Sequence, residues 1–398
     1  MSAVPIAPII ELLLVICLVV LAVRWIKLPY TIALVLAGLA LALTKLIPPI
    51  SLTHDIAFYV ILPPILFYGA MHLDLGHLKK DWGLISLLAI PGVIACALLI
   101  AYPLSYFWNI PLSYALLFGA LISATDPVSV LAILKKIKAP DRLRTILEAE
   151  SLLNDGTGVV LFMVILGMVQ SAQPLNLPHA CLQFILVTGG GALIGGLCSL
   201  GLIKIIELTD NPLLELILTI ALAFGSMLIA QVYNCSGIIA VVVAGLMMGQ
   251  ARLSCMSKKG REINEIFWSR MDLIMNTLIF LIIGLQLQVV GVNVLFESKK
   301  FVLIGIALVL ASRILIIYPT VSICNQFIKP TIPSDWDHIL FWGGLRGTIP
   351  IILALQLPES PYRPLFLTAT FGIVLFNLLV QGLTIEPLLR RLNLRKEN

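Results

Sequence analysis

The stretch LISATDPVSVLAIL, residues 121–134, places an Asp-Pro pair in the middle of an otherwise apolar segment. Pro127 lacks a backbone N–H and disfavours the helical conformation at Asp126, so a helix through this segment should break there. Non-helical backbone at membrane depth is tolerated only where it is buried in protein or lines a water-filled cavity. A plain proline kink is the structural alternative. The carboxylate at the break favours a functional site instead, in which a freed carbonyl such as that of Thr125 can serve as a ligand.

The composition is that of a protein that crosses a membrane many times. Of the 398 residues, 60% are hydrophobic and 12% are charged, and the mean hydropathy is +1.04, whereas a typical soluble domain has about 25% charged residues. Apolar runs of about 20 residues, enough to span the hydrocarbon core, recur along the chain. The approximate limits of the candidate spans are 8–24, 30–47, 55–72, 83–106, 113–134, 145–170, 181–205, 212–232, 236–251, 268–290, 301–322, 336–357 and 365–388. We therefore predict an all-α polytopic membrane protein with about 13 transmembrane helices, the first of them a retained helix rather than a signal peptide.

The distribution of positive charge orients these spans. Twenty of the 26 Lys and Arg residues fall in loops on one side of the predicted bundle, four fall on the other side, and two lie within spans. The positive-inside rule then puts the N-terminus outside and the C-terminus in the cytoplasm of a cell-membrane protein. With an odd number of spans, 8–170 and 212–388 would form approximate inverted repeats joined by the span 181–205, all within one transporter domain over residues 1–398. Inverted repeats are common in secondary transporters.

A second interrupted helix is predicted by FWGGLRGTIPIILAL, residues 341–355, where Gly344 and Pro350 are among the residues that weaken the helix. This segment is the fifth span of the second half, just as residues 121–134 belong to the fifth span of the first. Paired discontinuous helices in corresponding places are typical of transporters built from inverted repeats. Arg346 within the segment would offset the exposed carbonyl end of a half-helix, or else extend to the inner membrane interface.

A second polar segment, ESLLNDGTG (residues 150–158), lies in the predicted span 145–170. Glu150 and Asn154 are four residues apart, as are Ser151 and Asp155, so these side chains can share one helical face. Asp155 lies deeper in the membrane than Glu150, because the span enters from the basic loop. Asp155 and Asp126 lie at comparable depths in the membrane.

Arg313 lies near the middle of the predicted span 301–322, where an unpaired guanidinium would be very unfavourable. Glu150 is the best candidate partner, and this pairing would be a structural tie rather than part of a transport site. Asp126 and Asp155 are alternative partners that burial alone leaves open.

The donor set indicates cation transport. Carboxylate, hydroxyl, amide and backbone carbonyl oxygens suit a hard cation, and the set includes neither thiolates nor clustered His. A buried carboxylate can be occupied by a proton or by a cation, and competition between the two is sufficient for antiport if the empty site cannot cross the membrane. A static buried polar network is the structural alternative, and a gated cation channel or a membrane sensor is the functional one. No nucleophile–base pair or metal-binding motif suggests an enzyme or a cofactor, and the seven Cys have no redox or metal spacing.

The segments ATDPVSVLAILK, ESLLNDGTGVVLF, FLIIGLQL and GGLRG occur in this order along the chain. Together they resemble the monovalent cation:proton antiporter superfamily, and within it the NhaP/NHE sodium–proton exchanger branch. The resemblance covers essentially the whole chain. It implies a fold of thirteen helices with an inverted repeat, in which the broken helices 5 and 12 cross in a mobile core domain and the remaining helices form a dimerisation domain.

The resemblance also implies roles for individual residues. Asp155 would be the carboxylate that binds Na⁺ and carries the proton, assisted by Asp126, Ser151 and the Thr125 backbone. Asn154 fills the first place of an Asn-Asp pair, which in this branch accompanies electroneutral one-for-one exchange. The remaining implied roles are structural: an ion pair between Glu150 and Arg313, and support of the broken helices by Pro127, Gly344 and Arg346.

The expected function is exchange of cytoplasmic Na⁺ or Li⁺ for external H⁺ by elevator-like alternating access, in the service of pH homeostasis. A K⁺/H⁺ antiporter of the same fold is the alternative, because no sequence feature fixes the size of the cavity. The expected partners are these ions, the lipid bilayer and a second copy of the chain, with no nucleic acid and no cofactor.

Overall fold

The computed structural model describes residues 17–18, 21, 29–45, 53–171, 176–327, 329 and 331–392, and these residues contain helices and connecting turns but no β-strand. The helices of the first half are α1 Tyr30–Thr44, α2 Leu62–His72, α3 Leu75–Ala89, α4 Pro91–Trp108, α5 Leu112–Ser123, α6 Val128–Lys136 and α7 Asp141–Gln170. Those that follow are α8 Leu177–Glu207, α9 Pro212–Val232, α10 Gly237–Cys255, α11 Lys258–Leu285, α12 Leu287–Val290, α13 Val292–Glu297, α14 Lys299–Cys324, α15 Ser334–Gly343, α16 Thr348–Ala354, α17 Arg363–Phe376 and α18 Gly382–Arg391. Short π-helical segments, Ala57–Ile61 and Asn377–Gln381, lead into α2 and α18.

The all-α polytopic fold predicted from the sequence is confirmed. In the described residues, nine segments are long and apolar enough to cross a membrane, and Tyr30–Thr44 and Ala57–His72 are shorter apolar helices. The half-helices α15 and α16 together account for the predicted span 336–357. Twelve of the thirteen predicted spans thus have a counterpart, and the span 8–24 falls outside the described residues except at positions 17, 18 and 21.

Two helices begin earlier than the predicted spans 83–106 and 268–290. Helix α3 begins at Leu75, because the Asp74 side chain accepts hydrogen bonds from the Gly76 and His77 backbone N–H groups. Helix α11 begins at Lys258, after Ser257, whose side chain caps the Gly260 N–H. Hydropathy registers only the apolar part of a helix, so it cannot detect the polar first turns that these caps stabilise.

Two pairs of helices form one packed group, because α2 also contacts α11. Helix α1 packs along α11, and α2 packs along α10. At the first contact the backbones of Gly38 and Gly284 approach so closely that a side chain on either residue would collide with the other helix. Small residues permit close helix packing of this kind within membranes.

The discontinuous helices lie in a second group. Helix α5 packs against α4 and α7, and α14 packs against α4 and α17. Aromatic contacts join these helices: the ring centroids of Phe118 and Phe366 are 4.8 Å apart, and those of Phe118 and Phe301 are 6.0 Å apart. This packing holds α7, with its polar face, next to the break between α5 and α6.

Candidate ion-binding site

Both predicted breaks are present and they meet. Residues 124–127 separate α5 from α6, and residues 344–347 separate α15 from α16. The Asp126 N–H donates to the Leu345 carbonyl across the two breaks, with an N–O distance of 2.7 Å. Gly347 lies so close to the Asp126 side chain that a Cβ at this position would overlap it. The crossing therefore requires glycine here.

Asp126 lies at the N-terminal ends of two half-helices. Its Oδ1 accepts a hydrogen bond of 3.1 Å from the Val128 N–H, at the start of α6. The Thr348 N–H, at the start of α16, also hydrogen-bonds to the Asp126 carboxylate. Because the unpaired N–H groups of a helix start carry partial positive charge, both ends stabilise the negative charge of Asp126.

The carbonyl ends of the other two half-helices meet buried guanidinium groups. Arg346 donates from Nη1 to the carbonyls of Ser123 at 2.5 Å and Ala124 at 3.3 Å, where α5 ends. Arg313 donates from Nη2 to the Leu340 carbonyl at 3.0 Å, in the last turn of α15. Arg346 is only 1% exposed, so it lies at a half-helix end and does not extend to the membrane interface.

Arg313 and Glu150 form a two-point contact. Nη1 lies 2.7 Å from Oε1 of Glu150, and Nη2 lies 3.3 Å from Oε2, with both residues buried. Asn154 donates to the same Glu150 Oε1 at 3.3 Å and to the Thr125 hydroxyl at 3.3 Å. The Glu150 carboxylate thus has partners on both oxygens.

Ser151 joins α7 to the first break. Its hydroxyl donates to the Thr125 carbonyl, with an O–O distance of 2.6 Å. A hydroxyl that donates its proton keeps its acceptor lone pairs, and a carbonyl oxygen that accepts one hydrogen bond keeps a second lone pair. Both oxygens therefore retain the capacity to bind a cation.

Asp155 differs from the other acids near the crossing. It lines a cavity of about 200 Å³ together with Asp126 and Ser151. Within the part of the chain that the structure describes, no hydrogen bond or salt bridge occupies its carboxylate. Thr125, Asn154 and Glu150 do not line this cavity, but the Thr125 carbonyl is hydrogen-bonded to Ser151, which does.

Sequence reasoning missed several polar residues that line the same cavity: Tyr68, Glu148, Asp272, Asn276 and Thr348. Three of them had a detectable signal. Glu148 is seven residues before Asp155 and three before Ser151, so it belongs to the same helical face. Asp272 and Asn276 are four residues apart within the predicted span 268–290, a polar pair on one face of an apolar helix.

A second cavity, of about 610 Å³, adjoins the first and shares Val128, Asp272 and Asn276 with it. Its other polar lining residues are Tyr30, Thr31, Ser129, Lys136, Glu386 and Arg390. Lys136 and Arg390 belong to the set of twenty basic residues on one side of the predicted bundle. The two cavities therefore extend, one after the other, from Asp155 toward the basic end of the molecule.

The sequence model described as "Sodium/hydrogen exchanger, transmembrane" matches residues 12–391 of the chain. The chain belongs to the sodium/hydrogen exchanger family. Its members are multi-span membrane transporters and not enzymes, as the sequence predicted.

Several relatives within the sodium/hydrogen exchanger family are similar over most of their length. The low-affinity Na⁺/H⁺ antiporter NhaS1 of Synechocystis is 37% identical over 375 residues, which cover 92% of this chain and 70% of that protein. The Na⁺/H⁺ antiporter NhaP of Pseudomonas aeruginosa is 39% identical over 340 residues, which cover 83% of this chain and 80% of that protein. NhaH of Halobacillus dabanensis is 35% identical, with 96% of this chain and 97% of that protein covered.

The exchanger fold is also similar to a solved structure. The sodium proton antiporter MjNhaP1 from Methanocaldococcus jannaschii, at pH 8, superposes with a TM-score of 0.80 over 97% of this chain and 99% of that one. The sequence identity is 22%, so this similarity supports the fold and not the ion specificity.

Proposed function

We propose that this exchanger moves one Na⁺ or Li⁺ out of the cytoplasm for each H⁺ that enters, because the two ions compete for Asp155. The observation that carries the proposal is the state of the Asp155 carboxylate. It lines a cavity and has no hydrogen-bonding or salt-bridge partner among the described residues, whereas Glu150 is paired with Arg313 and Asp126 is stabilised by two helix ends. Relatives that are 37% and 39% identical are named as Na⁺/H⁺ antiporters, which supports the choice of ions.

The residues around Asp155 fit a Na⁺ ion as the transported substrate. Asp126 and Asp155 supply carboxylate oxygens, Ser151 supplies a hydroxyl, and Thr125 supplies a backbone carbonyl. Hard cations prefer such oxygen ligands, and the hydrogen bond between Ser151 and Thr125 keeps these two oxygens 2.6 Å apart. The same arrangement accepts a proton on Asp155 when Na⁺ is absent.

One-for-one stoichiometry is supported by the two polar neighbours of Asp155 on α7, Asn154 and Glu150, neither of which offers a free carboxylate. Asn154 precedes Asp155 and carries no charge, and the Glu150 carboxylate is occupied by Arg313. One carboxylate, Asp155, then changes its charge in each half of the cycle. Exchange of one monovalent cation for one proton moves no net charge.

Alternating access would follow from the inverted repeats 8–170 and 212–388. If the first six spans correspond to the last six in order, α1 corresponds to α10 and α2 corresponds to α11. The symmetry that relates the two repeats then converts the packed pair α1 with α11 into the packed pair α10 with α2. This relation supports a pseudo-two-fold axis in the membrane plane. We propose that these helices belong to a dimerisation domain of a homodimer, against which the domain with the crossing moves.

The second cavity supports access from the cytoplasm. Its lining includes Lys136 and Arg390, and the positive-inside rule assigns basic ends to the cytoplasmic side. In the described arrangement Na⁺ would therefore reach Asp155 from the cytoplasm.

The experiment uses purified protein in liposomes with an acidic lumen and a pH-sensitive dye. Addition of Na⁺ or Li⁺ should dissipate the pH gradient, and the rate should not change when a lipophilic anion clamps the membrane potential at different values. If the response to K⁺ exceeds the response to Na⁺, K⁺ is the transported cation in place of Na⁺. No response to Na⁺, Li⁺ or K⁺ would refute antiport.

Two variants complete the test. Asp155→Asn should abolish exchange while the protein still purifies as a folded particle. Asp210→Asn is the matched control, because Asp210 is exposed in the turn between α8 and α9 and lines neither cavity. Exchange that survives Asp155→Asn would remove Asp155 from its central role.

A further inference from the structure

Asp272 is the only carboxylate that lines both cavities of the described residues. It lies at the middle of α11, and Asn276, one turn further along the helix, lines both cavities as well. The Asn276 side chain donates from Nδ2 to Oδ1 of Asp272, with a distance of 2.8 Å. A cation that passes from the outer cavity to the inner one passes this pair.

We propose that Asp272 captures the cation between the outer cavity and Asp155, with Asn276 as the positioning residue that holds the capturing carboxylate. The inference rests on the proposed function, because it assigns a step in the delivery of the same ion. The Asn276 amide hydrogen-bonds to one carboxylate oxygen of Asp272. No Lys or Arg of the described residues forms a salt bridge with the Asp272 carboxylate. The other oxygen remains available to a cation.

The charges along the route support this assignment. At the outer cavity, Glu386 accepts from Arg390 at 2.7 Å and lies 3.9 Å from Lys136. These two cations neutralise the carboxylate at the mouth, and they offer no attraction to an incoming cation. Asp272 is therefore the first carboxylate on the inward path without a cationic partner. A carboxylate in a narrow polar passage raises the local concentration of cations.

The packing of α11 predicts that Asp272 affects Na⁺ binding from the cytoplasmic face only. Helix α11 packs mainly against α1, α2 and α9, whereas Asp155 is on α7. If the domain with the crossing moves against these helices, Asp272 stays near the basic end and meets only ions that arrive from there. Asp272 should thus affect the apparent affinity for Na⁺ on the cytoplasmic face and not on the external face.

The experiment compares Na⁺ dependence in everted and right-side-out membrane vesicles that contain the full chain. In everted vesicles, Asp272→Asn should raise the KM for Na⁺ about fivefold with little change in the maximal rate, as expected from the loss of one charge about 4 Å from the ion when the dielectric constant between them is that of water. In right-side-out vesicles the KM should stay at the wild-type value. Asp272→Glu should restore the low KM, and Asp210→Asn should leave both values unchanged.

Several results would overturn the assignment. An unchanged KM in everted vesicles, an equal increase on both faces, or a fall in the maximal rate alone would each refute capture by Asp272. If Asp272→Asn does not fold, Asn276→Ala carries the test, because it keeps the charge and releases the carboxylate. This variant should raise the cytoplasmic KM about twofold, and an unchanged KM would refute the proposal. Absence of Na⁺-dependent exchange in the wild-type chain would instead refute the proposed function itself.

Discussion

Replacement of Glu150 by Gln would break the buried contact with Arg313. In the native structure Arg313 donates to both carboxylate oxygens, at 2.7 and 3.3 Å, and to the Leu340 carbonyl at 3.0 Å. Gln keeps one acceptor oxygen for Nη1 but turns an amide N–H₂ toward Nη2. Arg313 would then remain buried with its charge uncompensated.

The loss of stability can be worked out from these contacts. Removal of one partner from a buried ion pair costs about 3–5 kcal/mol, and the hydrogen bond that Gln retains returns about 1 kcal/mol. The expected decrease in the free energy of unfolding is therefore about 3 kcal/mol. Unfolding entropy of about 2.1 cal/mol/K per residue, over 398 residues, converts this to a decrease of about 4 °C in Tm.

The assay is thermal unfolding of the purified protein in detergent, followed by Trp fluorescence. All variants are heated at one fixed scan rate, because the Tm of a large protein that unfolds irreversibly depends on the scan rate. Glu359→Gln is the control: Glu359 pairs with Arg363 on the surface, its side chain is 87% exposed, and such pairs contribute little. The double variant Glu150→Gln, Arg313→Gln should lose less stability than the sum of the two single variants.

Transport by the same variants separates the two roles that Glu150 could have. If Glu150 is a structural tie, the folded fraction of Glu150→Gln should keep the wild-type KM for Na⁺. An unchanged Tm together with a KM raised severalfold would refute the reasoning and make Glu150 a ligand of the ion.

Three further predictions concern the crossing. Asn154→Asp should make exchange depend on membrane potential, because a second ionisable carboxylate beside Asp155 changes the charge moved per cycle; a potential-clamped liposome assay measures this. Gly347→Ala should reduce exchange about tenfold or more, since its Cβ would overlap the Asp126 side chain, whereas Gly167→Ala on α7, where no atom lies within 4 Å, should have no effect. If one carboxylate serves both ions, the KM for Na⁺ should rise tenfold for each unit that pH falls within the range in which Asp155 is mostly protonated; a KM independent of pH across that range would indicate separate sites.

The sequence predicted the parts of the site that depend on local rules. The break at Asp126 follows from Pro127 alone, and the shared face of Ser151 and Asp155 follows from helical spacing. The partner of Arg313 could be ranked, because few acids lie at the same membrane depth. Each of these inferences uses residues within one helix or the requirement that a buried charge be compensated.

Contacts between distant segments could not be predicted in the same way. The Arg142 guanidinium donates to both carboxylate oxygens of Asp81, at 2.8 and 2.6 Å, and joins α7 to α3 across 61 residues. Arg142 lies among many basic residues, any of which could have paired with Asp81, so composition and spacing do not select it. The same holds for Asp272, whose place between the two cavities depends on how α11 packs.

The distribution of charge at the crossing gives a physical reason for the proposed obligatory exchange of a cation for a proton. Glu150 and Arg313 cancel, Asp126 faces the N-terminal ends of α6 and α16, and Arg346 faces the carbonyl end of α5. With Asp155 ionised and empty, the crossing carries one uncompensated negative charge; with H⁺ or Na⁺ bound, it carries none.

The other acids of the cavity do not change this balance. Glu148 lies two helical turns from Asp155, about 10 Å toward the basic end, and interacts electrostatically with Arg144 and Lys135. Asp272 is on α11 and would not move with the crossing. A charged side chain at the centre of a bilayer costs about 3 kcal/mol or more, a factor of roughly 100 in population. The loaded site should therefore cross far more often than the empty one, so that a cation leaves only when a proton takes its place.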